Sequence, residues 1–209
     1  MQRLVLLCAC VVLALSVSAS AGVVELGFNT EFSGAWPPSG PPDWLTATFD
    51  DDDTPGSVQL TLDTTGLTGG EFVGEWYFNL DPALDPDALS FTKVASVGTF
   101  DDPTLSTGVD SFLADGTGGR HDILLDFGNG PASKRFGVGE SVTYDITGIS
   151  SLMATSFDTG SAGAGLPSAA HVQGIDPDGE NSGWVTVPGP APLGLLAVGA
   201  IGLRRRRRP

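Results

Sequence analysis

Acidic side chains fall in four tight groups: Asp50 to Asp53, Asp81/Asp85/Asp87, Asp101/Asp102, and Asp176/Asp178/Glu180 within Ile175-Asp176-Pro177-Asp178-Gly179-Glu180-Asn181. Oxygen-rich clusters of this kind suit Ca²⁺, which takes about six to eight oxygen ligands. The last group places acids at alternate positions around a glycine, so Asp176, Asp178 and Glu180 are the candidate Ca²⁺ ligands. They form only a fragment of a binding loop, because the glycine at loop position six and the terminal bidentate Glu of an EF-hand are missing. The competing reading is a set of solvated acidic loops. His121 and His171 are the only histidines. A two-histidine metal site would need both on one wall beside a carboxylate, and ordinary hydrogen-bonded histidines are the expectation.

Nucleophile and phosphate motifs are missing from the sequence: there is no Gly-x-Ser-x-Gly elbow, no His-Glu-x-x-His and no P-loop. Glu71 and Glu75, four apart on strand-like sequence, are expected to share a face about 13 Å apart at ~3.3 Å per residue. That exceeds the ~5 to 9.5 Å of glycosidase carboxylate pairs. The expectation is therefore a protein that is not an enzyme. Trp36 in a proline loop, with Trp44 and Tyr77 on strand faces opposite the core, are the candidate glycan contacts. Such rings combine a broad apolar face with a polar edge.

These residues must be carried by a small body of strands. The chain has 209 residues, enough for one domain of ordinary size with a proper core. Its 29 glycines, with Pro, Asp, Ser and Thr, fill the short gaps between apolar stretches, the profile of strands joined by turns. All 25 acidic residues lie between the two terminal segments, where they face only Lys93, Arg120, Lys134 and Arg135. A body so negative repels nucleic acid and anionic lipid, and attracts cations. Both cysteines, Cys8 and Cys10, sit in the N-terminal apolar segment, so the body cannot rely on disulfides.

Period-two alternation predicts strands over 44–50, 57–63, 71–80, 121–127 and 142–146, with further candidates at 23–28, 89–93, 151–157, 169–174 and 183–187. In the third of these, Phe72, Trp76, Phe78 and Leu80 are expected on the core face and Val73, Glu75 and Tyr77 on the other. No stretch of the body sustains a period of 3.6. The fold class expected is all-β: a two-sheet antiparallel sandwich, a jelly roll, over residues 22–186. Four prolines make residues 33–42 an extended loop.

The termini read as addresses. Residues 1–21 join a positive start, an apolar centre from Leu4 to Leu15 and a small-residue end in which Ala19 and Ala21 form Ala-x-Ala, which predicts a secretory signal peptide cut after Ala21. Its partners would be the secretory translocon and signal peptidase. Residues 187–209 comprise Val187-Pro188-Gly189-Pro190, an apolar run from Ala191 to Leu203, and Arg204, Arg205, Arg206, Arg207 and Arg208 before Pro209. The run would be ~20 Å long as a helix, short of the ~30 Å hydrocarbon core. Snorkelling arginines and an interfacial lead-in are expected to let it serve as a short transmembrane segment with its basic end cytoplasmic.

That tail resembles the PEP-CTERM sorting signal, also catalogued as the C-terminal domain of ice-binding proteins, with Gly189 where the family usually has Glu. The stretch from Ala169 to Ile175 and Ser182-Gly183-Trp184 is similar to one that recurs before the tag in other proteins of this sorted class. The resemblance implies processing by exosortase, a membrane-embedded transpeptidase, and transient inner-membrane anchoring before transfer to the cell surface or release. The expected function is an exported structural or adhesive protein of the cell surface or extracellular matrix, with exopolysaccharide as a partner. A carbohydrate-binding module and a secreted hydrolase are the alternatives.

Overall fold

The computed structural model describes residues 22–34, 36–52, 54–115, 118–175 and 181–188. These residues build two antiparallel sheets packed face to face. The first has five strands in the order β1 (Val23–Phe28), β3 (Leu45–Asp50), β4 (Val58–Asp63), β10 (Ser141–Thr147), β6 (Ser90–Val97). The second has seven, in the order β2 (Thr30–Gly34), β12 (Asn181–Thr186), β11 (Ser168–Ile175), β5 (Phe72–Phe78), β8 (Arg120–Asp126), β7 (Thr104–Leu113). The two-residue β9 (Phe136–Gly137) also pairs with β5.

Alternation decides which side chains fill the gap between the sheets. Leu45, Ala47 and Phe49 of β3 lie beside Leu60 and Leu62 of β4, which lie beside Val142 and Tyr144 of β10, all buried. They face Trp76, Phe78, Ile123, Leu125 and Val172 of the second sheet. Phe28 meets Trp76 edge-on at 5.1 Å, and Phe49 meets Phe78 edge-on at 5.2 Å. Phe157 lies flat on Phe49 at 4.2 Å. Each such ring contributes about 1.5–3 kcal/mol by burial, and the ring pairs add ~0.5–1.5 kcal/mol more.

Three expectations are corrected. Both sheets are open, ending at β1 and β6 and at β2 and β7. Sequential hairpins such as β3–β4, β7–β8 and β11–β12 stay within one sheet. This is a two-sheet antiparallel structure but not the eight-stranded double Greek key of a jelly roll. Residues 151–157 hold a 3-10 turn, Ala154–Phe157, in place of a strand, because Phe157 reaches the core from a loop. Strands β2 and β7 escape the alternation rule, since β2 buries no residue fully and β7 only Gly108.

Among the described residues no helix is long and apolar enough to cross a membrane. That finding overturns the transmembrane helix and the inner-membrane anchoring as features of the described structure. Residues 189–209, where both were placed, lie outside it, as do residues 1–21 with Ala19 and Ala21.

The acidic groups have a structural use that the sequence hid. Asp50, Asp63, Asp81, Asp85 and Asp126 each accept the backbone N–H two residues on, at 2.7–3.0 Å, which is how Asx turns close. Others fasten separate segments. Buried Glu71 accepts Ser39 N–H at 2.6 Å and Thr68 N–H at 2.8 Å. Glu140 holds Thr99 and Gly137, and Asp122 holds Leu80 and Asp110.

Candidate functional site

The polar side chains that converge do so on the outer face of the seven-stranded sheet. A row of direct cross-strand partners runs Ser33, Trp184, His171, Glu75, Asp126, Thr104, from β2 to β7. Beside its middle lies an open depression of about 290 Å³, whose lining includes Gly74, Asn129 and Gln173 together with Glu75, Asp126, His171 and Trp184.

One backbone irregularity creates this arrangement. His171 pairs with Glu75 while Val172 pairs with Val73, so Gly74 is an extra residue in β5, a β-bulge. The bulged carbonyl accepts N–H groups from Phe127 at 2.8 Å and Gly128 at 3.2 Å, which brings Asn129 to the edge of the depression. A Cβ on Gly74 would collide with Gln173 Nε2, so only glycine leaves room for that amide.

The bulge also reverses the expected facing at the start of β5. Val73 joins the main core cluster, while Phe72, also buried, lies outside that cluster with the Arg135 guanidinium 4.2 Å over its ring. Glu71 turns into the loops it fastens, so Glu71 and Glu75 do not share a face as the spacing suggested. The carboxylate that does neighbour Glu75 is Asp126 on β8.

The expected aromatic contacts are redistributed. Trp44 is buried, and its indole N–H donates to the Gly40 carbonyl at 2.8 Å. Tyr77 is buried in a second apolar cluster on the outer face with Ala114 and Ala169, packed by Phe32, Phe112, Leu124 and Trp184. Its hydroxyl donates to Glu75 Oε2 at 2.8 Å. Burial, then the bond and charge of Glu75, push the Tyr77 phenol far above its usual range. Trp36 keeps the exposure expected of it, at 48%. The ring beside the depression is Trp184, half-buried, with the His171 imidazole lying flat on it at 4.5 Å and 8°.

Burial lowers the affinity of His171 for protons, and the nearby charges of Glu75 and Asp115 oppose that shift. Gln173 Nε2 stands 3.5 Å from His171 Nδ1. The depression thus offers two carboxylates, two amides, an imidazole and an aromatic wall, and none of its described lining residues is Lys or Arg. Such a set suits a neutral or cationic ligand rich in hydroxyl or amino groups.

His121 is buried under the outer cluster with its ring 5.6 Å from Tyr77. Among the described residues no group of three or more His, Cys, Asp or Glu side chains is placed to hold a metal. The Ca²⁺ candidates Asp176, Asp178 and Glu180 lie outside the described residues, and of the sorting motif only Val187 and Pro188 lie inside. The row across the sheet was missed because it joins residues from six strands; the signal within reach was the glycine interrupting the apolar face of β5. Comparison with protein-family models, curated proteins and solved structures finds no match to this chain.

Proposed function

We propose that this chain is an exported adhesive protein of the extracellular matrix whose outer sheet face holds a glycan. The leader would direct it to the secretory translocon and signal peptidase, and the Val187–Arg208 tail to an exosortase-like transpeptidase. The observation that carries the glycan reading is the depression at Gly74. An aromatic wall, Trp184 with His171, stands beside four side chains able to bond hydroxyl groups: Glu75, Asp126, Asn129 and Gln173. Sugar sites pair such a wall with a few convergent polar groups.

The test is retention on exopolysaccharide from the host and on a glycan array, comparing wild type with Trp184→Ala and Gln173→Ala. Both variants are expected to lose about tenfold or more in affinity, the worth of ~1.4 kcal/mol. Undiminished retention in both would end the reading.

A second reading, glycoside hydrolysis, is favoured by one observation. Glu75 and Asp126 are direct cross-strand partners, which puts their Cβ atoms about 4.5–5.5 Å apart and sets two carboxylates side by side, the residue pair that glycosidases use. Release of reducing ends, abolished by Glu75→Gln, would establish it. Binding without turnover leaves the adhesive reading in place.

A further inference from the structure

Asp51, in the middle of the Asp50–Asp53 group, is 4% exposed. Its Oδ1 accepts Gly22 N–H at 2.8 Å, and its Oδ2 accepts Ala154 N–H at 3.2 Å. The contact is reciprocal, because Asp51 N–H donates to the Gly22 carbonyl at 3.2 Å. A Cβ on Gly22 would come within 2.8 Å of Asp51 Oδ2, so a larger residue there would displace the carboxylate.

Among the described residues no cation forms an ion pair with Asp51. The two ion pairs among the described residues, Lys93–Asp102 and Lys134–Asp101, are both elsewhere. The charged neighbours of Asp51 in the chain are acids, Asp50 and Asp52. A carboxylate withdrawn from water and held by two neutral amides lacks the partner that usually offsets its desolvation.

The residue bonded to Oδ1 is also the first residue after the expected cleavage point. We infer that Asp51 is a built receptor for the α-ammonium of Gly22, and that removal of residues 1–21 completes an ion pair which locks β1 onto the sandwich. The covalent step is ordinary hydrolysis: water adds across the Ala21–Gly22 peptide bond, Ala21 leaves as a carboxylate, and Gly22 nitrogen takes a proton to become an ammonium. The 2.8 Å contact already has the ~2.7–2.9 Å length of a charge-assisted N–H···O bond. Cleavage changes its charge while its position stays fixed. The 3-10 turn Ala154–Phe157, bonded to the other oxygen, delivers Phe157 to the core. The new terminus is thereby coupled to core packing.

The inference is independent of the glycan reading. It is tested by equilibrium unfolding of two chains, one beginning at Gly22 and one beginning at Ala21, both ending at Pro209. At pH 6 the Gly22 chain should show an unfolding constant about tenfold smaller, the difference between a charged and a neutral hydrogen bond. An α-amino group has a usual pKa of ~7.7–8.0, and pairing raises it in the folded state. The advantage is therefore full below that range and lost as pH rises through the folded value. Asp51→Asn should abolish the difference between the two chains. Should that variant fail to fold, the pH dependence of the two unsubstituted chains decides the matter. Equal unfolding constants at pH 6, or a gap unchanged up to pH 10, would overturn the inference. So would a secreted protein whose mature N-terminus, read by mass spectrometry, is not Gly22.

Discussion

Acid should unfold this protein partly through one histidine. His121 is fully buried, with Nε2 3.2 Å from the Gly118 carbonyl. A carbonyl only accepts, so Nε2 carries the proton and Nδ1 is left as an acceptor, which finds no hydrogen-bond partner in the described structure. Protonating Nδ1 would bury a positive charge and an unsatisfied donor together. Burial accordingly pushes the ring down to about 4 from its usual 6.5, although the Gly118 carbonyl and the Asp122 carboxylate pull the other way. Between about pH 6.5 and 4 the unfolded chain holds a proton that the folded chain refuses, so stability falls as pH falls across that window. At ~1.36 kcal/mol per pKa unit the loss from pH 7 to pH 4 is about 3 kcal/mol, a large part of the ~5–15 kcal/mol that holds a domain together.

Acid acts on more than one group, so the measurement must isolate the ring. Urea unfolding of wild type and His121→Gln at pH 7 and pH 4 does so by difference. The variant is expected to be the less stable at pH 7, because it loses the ring contact with Tyr77, and to gain about 3 kcal/mol on wild type by pH 4. An imidazole resonance titrating near 4 would accompany it. Free energies that fall in parallel in the two proteins would refute the reasoning.

Glu71→Ala leaves Ser39 and Thr68 N–H groups without their acceptor and should cost about 2–4 kcal/mol, read as a lower urea midpoint at unchanged m-value. Glu71→Gln, which keeps one acceptor oxygen, should cost less. Gly74→Ala should displace the Gln173 amide and reduce glycan retention by about tenfold with a smaller effect on melting temperature; unaltered retention would separate the bulge from binding. Ligand charge is the last check: with Glu75 and Asp126 in the depression, oligosaccharides of neutral or amino sugars should be retained and uronate oligomers excluded, most clearly at low salt.

The strands whose sequence alternates were readable because each buries one face. Leu45/Ala47/Phe49 and Val58/Leu60/Leu62 announce themselves through period two, and the structure buries all six. What alternation could not reveal is a strand buried on neither face or a change of parity. Strand β7 carries too few buried side chains to register, and the inserted Gly74 moves Phe72 and Val73 to the opposite sides of β5 from those that counting assigns. Tyr77 was placed correctly on the outer face but not in water, since Phe112, Ala114 and Trp184 close over it. Long-range pairing of that kind depends on segments 35 to 107 residues away in the chain. The row from Ser33 to Thr104 depends on five strand registers at once, none of them written locally.

The carboxylates that bind their own turns have an engineering consequence. A loop closed by its own Asp, as at Asp63–Thr65, Asp81–Ala83 or Asp85–Asp87, carries part of its shape with it, yet each is also tied outward: Thr64 Oγ1 donates to the Glu140 carbonyl at 2.9 Å, Asp81 N–H to the Ser156 carbonyl at 2.8 Å, and Thr107 Oγ1 to Asp87 Oδ1 at 3.0 Å. A new sequence grafted there must bring its own latch and also keep that outward bond. The proline loop on Glu71, which has no latch of its own, must change together with its anchor.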